Sequence, residues 1–554
     1  MPNGTTVSGK PPSLSRQSTV LVALFLALSF LSSLAILSFR NIYDDEYSNL
    51  VYVGMSVPHV IHEANSVDVH PPGMYLLTKF AYQAIPSARW MTIFVLLLLY
   101  AGLAFYLYTL APLFPNTPSR IGFLLLATLH PQLLMWGNTI RWYGWWVGPA
   151  LVTLIVALQP ATSEEAPKLP RLTYRRATLL GLLLVSLFYL NYITLVFGAA
   201  LGLVMLFRYG LRPWKQYLLT LAIFAVLVFP QIHPFITVHI PGGREQRSGL
   251  LLSLARLVQA ILCSEAYLPW HPLSIAALLL FVALIVAGLL RARRLASKDS
   301  PSAALLTSDR GLASIVLFSL LFFCLVALGG FGVKPRNGLL LTPLLAVPFA
   351  LVLGQLRSPK LKTAILIFIA LWSSVGIEHL IRRHGLTKMN MNNHPEEVEA
   401  YVQKTQGTAC PVVVTYDAVL DFKLITGPIH PLQVLTLTSS GVRTPAGSPT
   451  FSVSGCTAID LYLVTSYLGG LGAGGKQADA EIKALAASLP GPAETQRLSP
   501  DPDAPTKRKL TFIGGASDLP DYRYVVQFNR ITPTQYETVE RSLPDFAPNK
   551  ETVH

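Results

Sequence analysis

The chain has 554 residues, of which 52% are hydrophobic and only 13% charged. A soluble domain carries about 25% charged residues, so the composition excludes an ordinary soluble protein before any motif is read. The formal net charge is +14, but the basic residues sit mostly in short loops between apolar runs, a pattern of membrane orientation that argues against nucleic acid as a partner.

A helix needs about 20 apolar residues to cross a bilayer. Runs near that length predict about eleven spans. They fall near 19–39, 91–111, 121–136, 145–159, 178–192, 193–207, 216–236, 271–290, 311–328, 339–356 and 363–380. The stretch 178–207 is nearly continuous, with its break placed at Asn191-Tyr192. The first span follows Lys10 and Arg16, is too long for a signal-peptide core and lacks a small-residue cleavage site, so it reads as an uncleaved anchor.

Loop charge orients the chain. With residues 1–18 cytoplasmic, the loops on that side hold 16 Lys/Arg in 61 residues, against 9 in 103 on the other. The bias has the sign that the positive-inside rule requires. Residues 19–380 therefore form the membrane domain, and both the loop 40–90 and everything from 381 onward are expected on the exoplasmic face.

Beyond residue 381 the character changes. Glu396 to Val402 reads as a helix start, and Gln477 to Leu489 as an amphipathic helix. Pro411 to Tyr416, Thr457 to Thr465 and Tyr522 to Phe528 read as strands. Residues 381–554 thus predict an α/β domain of ordinary size. Cys410 and Cys456 each precede a strand-like run, and pairing is open to them if this domain faces an oxidising compartment. Cys263 and Cys324 lie in or beside apolar segments and read as inert.

The first loop is acidic. Twelve Asp/Glu occur up to Glu378, and five of them fall between Asp44 and Asp68. Asp44, Asp45 and Glu46 follow the first span almost at once, which puts them at the membrane surface within reach of a lipid headgroup. Carboxylates there are costly unless solvated or used. The plain reading is a solvated loop. The same loop also holds His59, His62 and His70, and it re-enters an apolar stretch through His70-Pro71-Pro72-Gly73. Proline suits the first helical turn, so this motif predicts a helix entry. The histidine and carboxylate spacing fits no familiar metal pattern.

Four stretches, IYDDEYSNLVYVG, DVHPPGMYLLTKF, GNTIRWYGWWVGPALV and GVKPRNGLLLTPLLAVPFA, occur in that order on one side of the membrane. Together they resemble the GT-C superfamily of membrane glycosyltransferases. The nearest likeness is to its protein O-mannosyltransferase-like branch, which includes lipopolysaccharide-glycosylating enzymes and the aminoarabinose transferase of lipid A. The resemblance covers about residues 1–380. It departs from the branch at His70, where a lysine often stands, and at Arg336-Asn337, where Arg-Tyr is common.

This resemblance implies a polytopic α-helical GT-C-like fold in a bacterial plasma membrane. It also implies a polyprenyl-phosphate sugar donor, an exoplasmic lipid, glycan or protein acceptor, and inversion at the anomeric carbon. Attack by a sugar hydroxyl needs a general base. Asp45 aligns with the family's Asp-Glu pair, Asp44 is the close alternative, and Glu46 is assigned to orientation. The leaving phosphate needs charge stabilisation. Arg141, Lys334 and Arg336, with His70 and Tyr143, are the candidates for donor-phosphate and substrate binding, and Arg244 and Arg247 are weaker ones. No residue is assigned to a metal, and a divalent ion stays open as a cofactor because some members of the superfamily use one.

Each cation has a structural alternative. Arg141, among Trp142, Tyr143, Trp145 and Trp146, would serve as an anchor in an aromatic belt. Lys334 and Arg336 would snorkel to headgroups. Glu265 and His271 are further candidates for acceptor or lipid contact. Two rival classes are a flippase of polyprenyl-linked sugars and a membrane-anchored scaffold. The scarcity of charge within spans two to six speaks against the first.

Overall fold

The computed structural model describes residues 16–39, 46, 49–66, 70–85, 87–114, 116–158, 172–239, 250–267, 271–296, 310–329, 335–381, 395–406, 410–415, 433–438, 441–443, 455–466, 473–489, 494–498, 508–510, 517–519 and 524–542. The chain divides into two compact units. One comprises 1–40 with 57–387, the other 41–56 with 388–554.

The first unit is helical. Its described α-helices are α1 (Arg16–Phe39), α2 (Val57–Ser66), α3 (Pro72–Ala84), α4 (Ala88–Leu110), α5 (Thr117–Leu129), α6 (Pro131–Gly137), α7 (Trp142–Leu158), α8 (Tyr174–Leu190), α9 (Thr194–Tyr209), α10 (Trp214–Pro234), α11 (Leu250–Val258), α12 (Pro272–Ala296), α13 (Arg310–Leu328), α14 (Leu341–Gln355) and α15 (Pro359–Ile381). Helix occupies every stretch that the apolar runs predict. Among the described residues four helices are long and apolar enough to cross a membrane: Arg16–Ser38, Arg89–Leu113, Trp214–Val238 and Pro359–Ile381. Their outer faces are hydrocarbon, with Leu221 61% and Phe229 73% exposed. Surface of that extent suits lipid and not water, and the protein is an integral membrane protein.

Two breaks have local causes. The run 121–136 is not one helix but α5 followed by α6. Pro131 lacks an N–H and holds His130 extended at φ −64°, ψ 121°. The His130 Nδ1 then accepts from the Gln132 N–H at 3.2 Å, which caps α6. The predicted break at Asn191 is also present. Asn191 is extended, at φ −164° and ψ 140°, and its Oδ1 accepts from the Ile193 N–H at 2.8 Å. Where α4 crosses α7, the backbones meet at Gly102 and Gly148, and a methyl group on Gly102 would overlap the Gly148 backbone. Small residues permit such close approach between apolar helices.

The second unit is α/β. A six-stranded sheet has the order β3-β2-β1-β4-β8-β5, built from β1 (Cys410–Thr415), β2 (Gln433–Thr438), β3 (Gly441–Arg443), β4 (Ile459–Ser466), β5 (Glu494–Leu498) and β8 (Tyr524–Ile531). A separate pair, β6 (Arg508–Leu510) and β7 (Ser517–Leu519), is antiparallel. β2, β1 and β4 run parallel, while β3, β8 and β5 pair antiparallel to their neighbours. Parallel strands covered on both faces read as continuous apolar runs, as β1 does. Val412 and Val414 pack with Ile482, Leu485, Tyr536 and Val539 from α17 (Ala473–Ser488) and α18 (Pro533–Ser542). Val413 faces the other way, toward Val398, Tyr401 and Val402 of α16 (Pro395–Thr405). Cys410 and Cys456 are disulfide-bonded, with Cα atoms 5.9 Å apart. In the stretch 41–56 of this unit, Glu46 and Asn49 are fully buried.

Candidate active site

The site is built in the helical unit from four short pieces of chain. The first is the entry to α3. Pro71 is extended, at φ −70° and ψ 156°, and Pro72 opens the helix, as the His-Pro-Pro-Gly motif predicts. Gly73 lies against the backbone of Tyr189, where a Cβ would come within 2.5 Å of the carbonyl oxygen. This contact brings His70 to the end of α8. The His70 Nδ1 is 3.4 Å from the Asn191 Nδ2, and its Nε2 is 3.4 Å from an Arg141 guanidinium nitrogen. Both neighbours are donors and a neutral imidazole has one acceptor nitrogen, so His70 accepts from one of them at a time.

The second piece is the turn between α6 and α7. Asn138 donates to the Ser33 carbonyl of α1 at 3.1 Å, and the Thr139 hydroxyl donates to the Trp136 carbonyl at 2.8 Å. These bonds fix the approach of Arg141, which is buried at 8% exposure. Trp142, Tyr143, Trp145 and Trp146 are at most 2% exposed. A lipid-facing aromatic belt would be open on its outer face, so the belt reading of this segment is overturned. These rings are core, and Trp146 donates to the Thr194 hydroxyl of α9 at 2.8 Å.

The third piece is the turn Pro335–Gly338 before α14. The Arg336 guanidinium lies over two rings, 5.0 Å from the Trp136 centroid and 5.4 Å from that of Tyr143. Those rings meet edge to face at 5.5 Å. Arg336 stacks inward on buried aromatics, which is the cation–π arrangement, and it does not snorkel outward.

The fourth piece follows a π-helical turn, Gln259–Cys263. Glu265 accepts through Oε2 from the Gln132 amide at 2.6 Å and from the Trp136 indole N–H at 2.8 Å. Burial pushes its carboxyl pKa up, and the Gln132 and Trp136 donors and the Arg336 and Arg256 charges pull it back. The four candidates from the sequence thus fall in two groups, His70 with Arg141 and Arg336 with Trp136, Tyr143 and Glu265, carried by one turn in which Arg141 stands two residues before Tyr143.

Other candidates fall elsewhere. Asp44, Asp45, Lys334, Arg244 and Arg247 lie outside the described residues. Glu46 is buried in the second unit. His271 caps α12, its Nδ1 accepting from the Leu273 N–H at 3.2 Å, and its ring lies 5.1 Å from that of His379. Gln132 and Trp136 lie inside a predicted span, so the sequence does not single them out as site residues. Their i, i+4 spacing on the short helix α6 puts both on one face. Among the described residues no group of three or more His, Cys, Asp or Glu is placed to hold a metal.

A cavity of about 310 Å³ lies in this unit. Its walls are nearly all hydrocarbon, from residues such as Ile261, Leu262, Phe281, Leu345 and Phe349. Ile261 and Leu262 lead directly into Glu265, and Thr342 of the wall follows shortly after Arg336.

No protein-family model matches the sequence, and no curated protein matches it. The fold is similar to that of ArnT from Cupriavidus metallidurans bound to undecaprenyl phosphate, at TM-score 0.53 and 12% identity over 92% of this chain and 98% of ArnT. The apo state of that ArnT gives TM-score 0.52 and 11% identity over the same shares, 92% and 98%. The archaeal oligosaccharyltransferase AglB from Archaeoglobus fulgidus, in complex with an inhibitory peptide and a dolichol-phosphate, gives TM-score 0.40 and 11% identity over 74% of this chain and 64% of that one, too slight to argue from. At these identities the likeness is one of fold, and the chain shares the membrane fold of ArnT.

Proposed function

We propose that the protein is a membrane glycosyltransferase that takes a sugar from a polyprenyl-phosphate donor on the exoplasmic face and passes it to an exoplasmic acceptor. The observation that carries this reading is the seating of Arg336 over the buried Trp136 and Tyr143 rings, in the same helical unit as the His70–Arg141 pair and an apolar cavity. A lipid phosphate asks for that combination of cations at the headgroup and hydrocarbon along the tail. The ArnT likeness supports the reading, because that neighbour holds undecaprenyl phosphate.

In the proposed reaction a carboxylate takes the acceptor hydroxyl proton. The acceptor oxygen bonds to the anomeric carbon from the face opposite the phosphate, and the bond from that carbon to the phosphate oxygen breaks. Asp45 is the base, with Asp44 as alternate. Arg141 and Arg336 stabilise the charge that develops on the departing polyprenyl phosphate. Arg336 suits bidentate contact, and its guanidinium is seated over the Trp136 and Tyr143 rings. The Cys410–Cys456 disulfide supports an oxidising compartment for the second unit, in agreement with the loop-charge bias.

The test is release of bare polyprenyl phosphate from labelled donors, with purified protein in membranes beside an Asp44→Asn/Asp45→Asn variant. Release by the wild type, lost in a variant of unchanged thermal stability, is expected. A variant as active as the wild type removes the acidic pair from the mechanism.

A further inference from the structure

Glu265 is held more firmly than a loop carboxylate needs to be. The residue before it, Ser264, has φ 67° and ψ 144°, a backbone region normally left to glycine and occupied by other residues where surrounding bonds enforce it. Those bonds are present. The Ser264 N–H donates to the Ala260 carbonyl at 3.1 Å, the Ala266 N–H donates to the Ser264 Oγ at 3.2 Å, and that hydroxyl donates to the Gln132 Oε1 at 3.3 Å. The same Gln132 oxygen accepts from the Glu265 N–H at 2.8 Å, while the Gln132 amide grips the Glu265 Oε2. One side chain therefore fixes both the backbone and the carboxylate of Glu265.

Both donors reach the same oxygen. Oε2 takes Gln132 and Trp136, and Oε1 accepts from none of the described residues. Glu265 is partly buried, and Oε1 is the oxygen left for a further donor. It is carried on the edge of the Trp136 indole, whose face supports Arg336. A fixed carboxylate oxygen beside aromatic rings and a phosphate-binding cation is a place for a polyol.

We infer that Glu265 is a specificity residue for the donor sugar, its Oε1 accepting a hydrogen bond from a sugar hydroxyl while Arg336 holds the phosphate. This rests on the polyprenyl-phosphate reading above. A neutral hydroxyl is the better match than an ammonium group, because the Arg336 and Arg256 charges, which only partly offset the rise that burial imposes on the Glu265 pKa, would repel a second cation. A site built to hydrogen-bond a hydroxyl rejects ligands that lack it more strongly than an apolar pocket rejects a size change.

The experiment measures binding of undecaprenyl phosphate, bare and bearing a hexose or an amino-pentose, to full-length protein, and compares wild type with Glu265→Ala and Glu265→Gln. The expected result is a loss of about tenfold or more for the hexose form in Glu265→Ala, the scale of a hydrogen bond to a charged group. Glu265→Gln should lose less, and bare undecaprenyl phosphate should bind all three alike. Equal loss of bare and sugar-bearing carrier would show that Glu265 merely supports Trp136 and would overturn the inference. So would no loss at all, or a loss confined to the amino-pentose form. A wild type that binds no form of the carrier takes down the donor reading itself, which the bare-carrier arm identifies separately.

Discussion

The Arg336 guanidinium sits 5.0 Å above the Trp136 ring, and Trp136 in turn donates its indole N–H to Glu265 at 2.8 Å. One aromatic residue thus couples a cation on its face to a carboxylate on its edge. Lysine offers charge without a planar group to stack. Arg336→Lys is therefore expected to weaken donor binding by roughly 3- to 30-fold, the worth of a partly buried cation–π contact. Arg336→Ala should lose more. Titration with bare undecaprenyl phosphate checks the order.

His70 and Arg141 are neighbours at 3.4 Å, and their effects should not add. A double-mutant cycle with His70→Ala and Arg141→Lys is expected to give a coupling of about 0.5–3 kcal/mol in donor turnover. Simple additivity would mean that the imidazole does not position the guanidinium.

Much of this fold is legible in the sequence, because apolar runs and proline breaks act locally. The entry at Pro71-Pro72 and the break at Asn191 each follow from the backbone chemistry of one or two residues. The division of 121–136 is hidden in the sequence because Pro131 lies inside an otherwise apolar run. The strands β2 and β5 are not legible in the sequence because QVLTLT and ETQRL gain their partners from β1 and β8, distant in sequence. Of the site, the cations stood out by running against the loop-charge bias. Gln132 and Trp136 did not, since only the folded chain shows that they bind Glu265.

The Glu265 carboxyl is raised by burial, so the fold favours its protonated form. The associated stability is present below the unfolded value of about 4.3 and is lost as pH rises through the raised folded value. Glu265→Gln should therefore be at least as stable as wild type at neutral pH in thermal unfolding. The sugar-dependent share of donor binding has the opposite sign, because it needs the carboxylate. It should fall on acidification at a pH above the ordinary glutamate range, and Glu265→Gln should show no such fall.

The disulfide closes a 46-residue separation. Cys410→Ser/Cys456→Ser is expected to lower the stability of the second unit by roughly 2–4 kcal/mol. Limited proteolysis of the full chain should then cut residues 388–554 sooner, with α4 and α7 unaffected.

The central claim is that Arg141 and Arg336 serve the phosphate of a polyprenyl-linked sugar. Its most direct test is turnover of labelled polyprenyl-phosphate sugars by wild type and an Arg141→Ala/Arg336→Ala variant, each in membranes and matched for thermal stability. The account predicts turnover by the wild type and a loss of about 10²–10³ or more in the variant, the scale of removing preorganised charge stabilisation. A stable variant that consumes donor as fast as the wild type would contradict it.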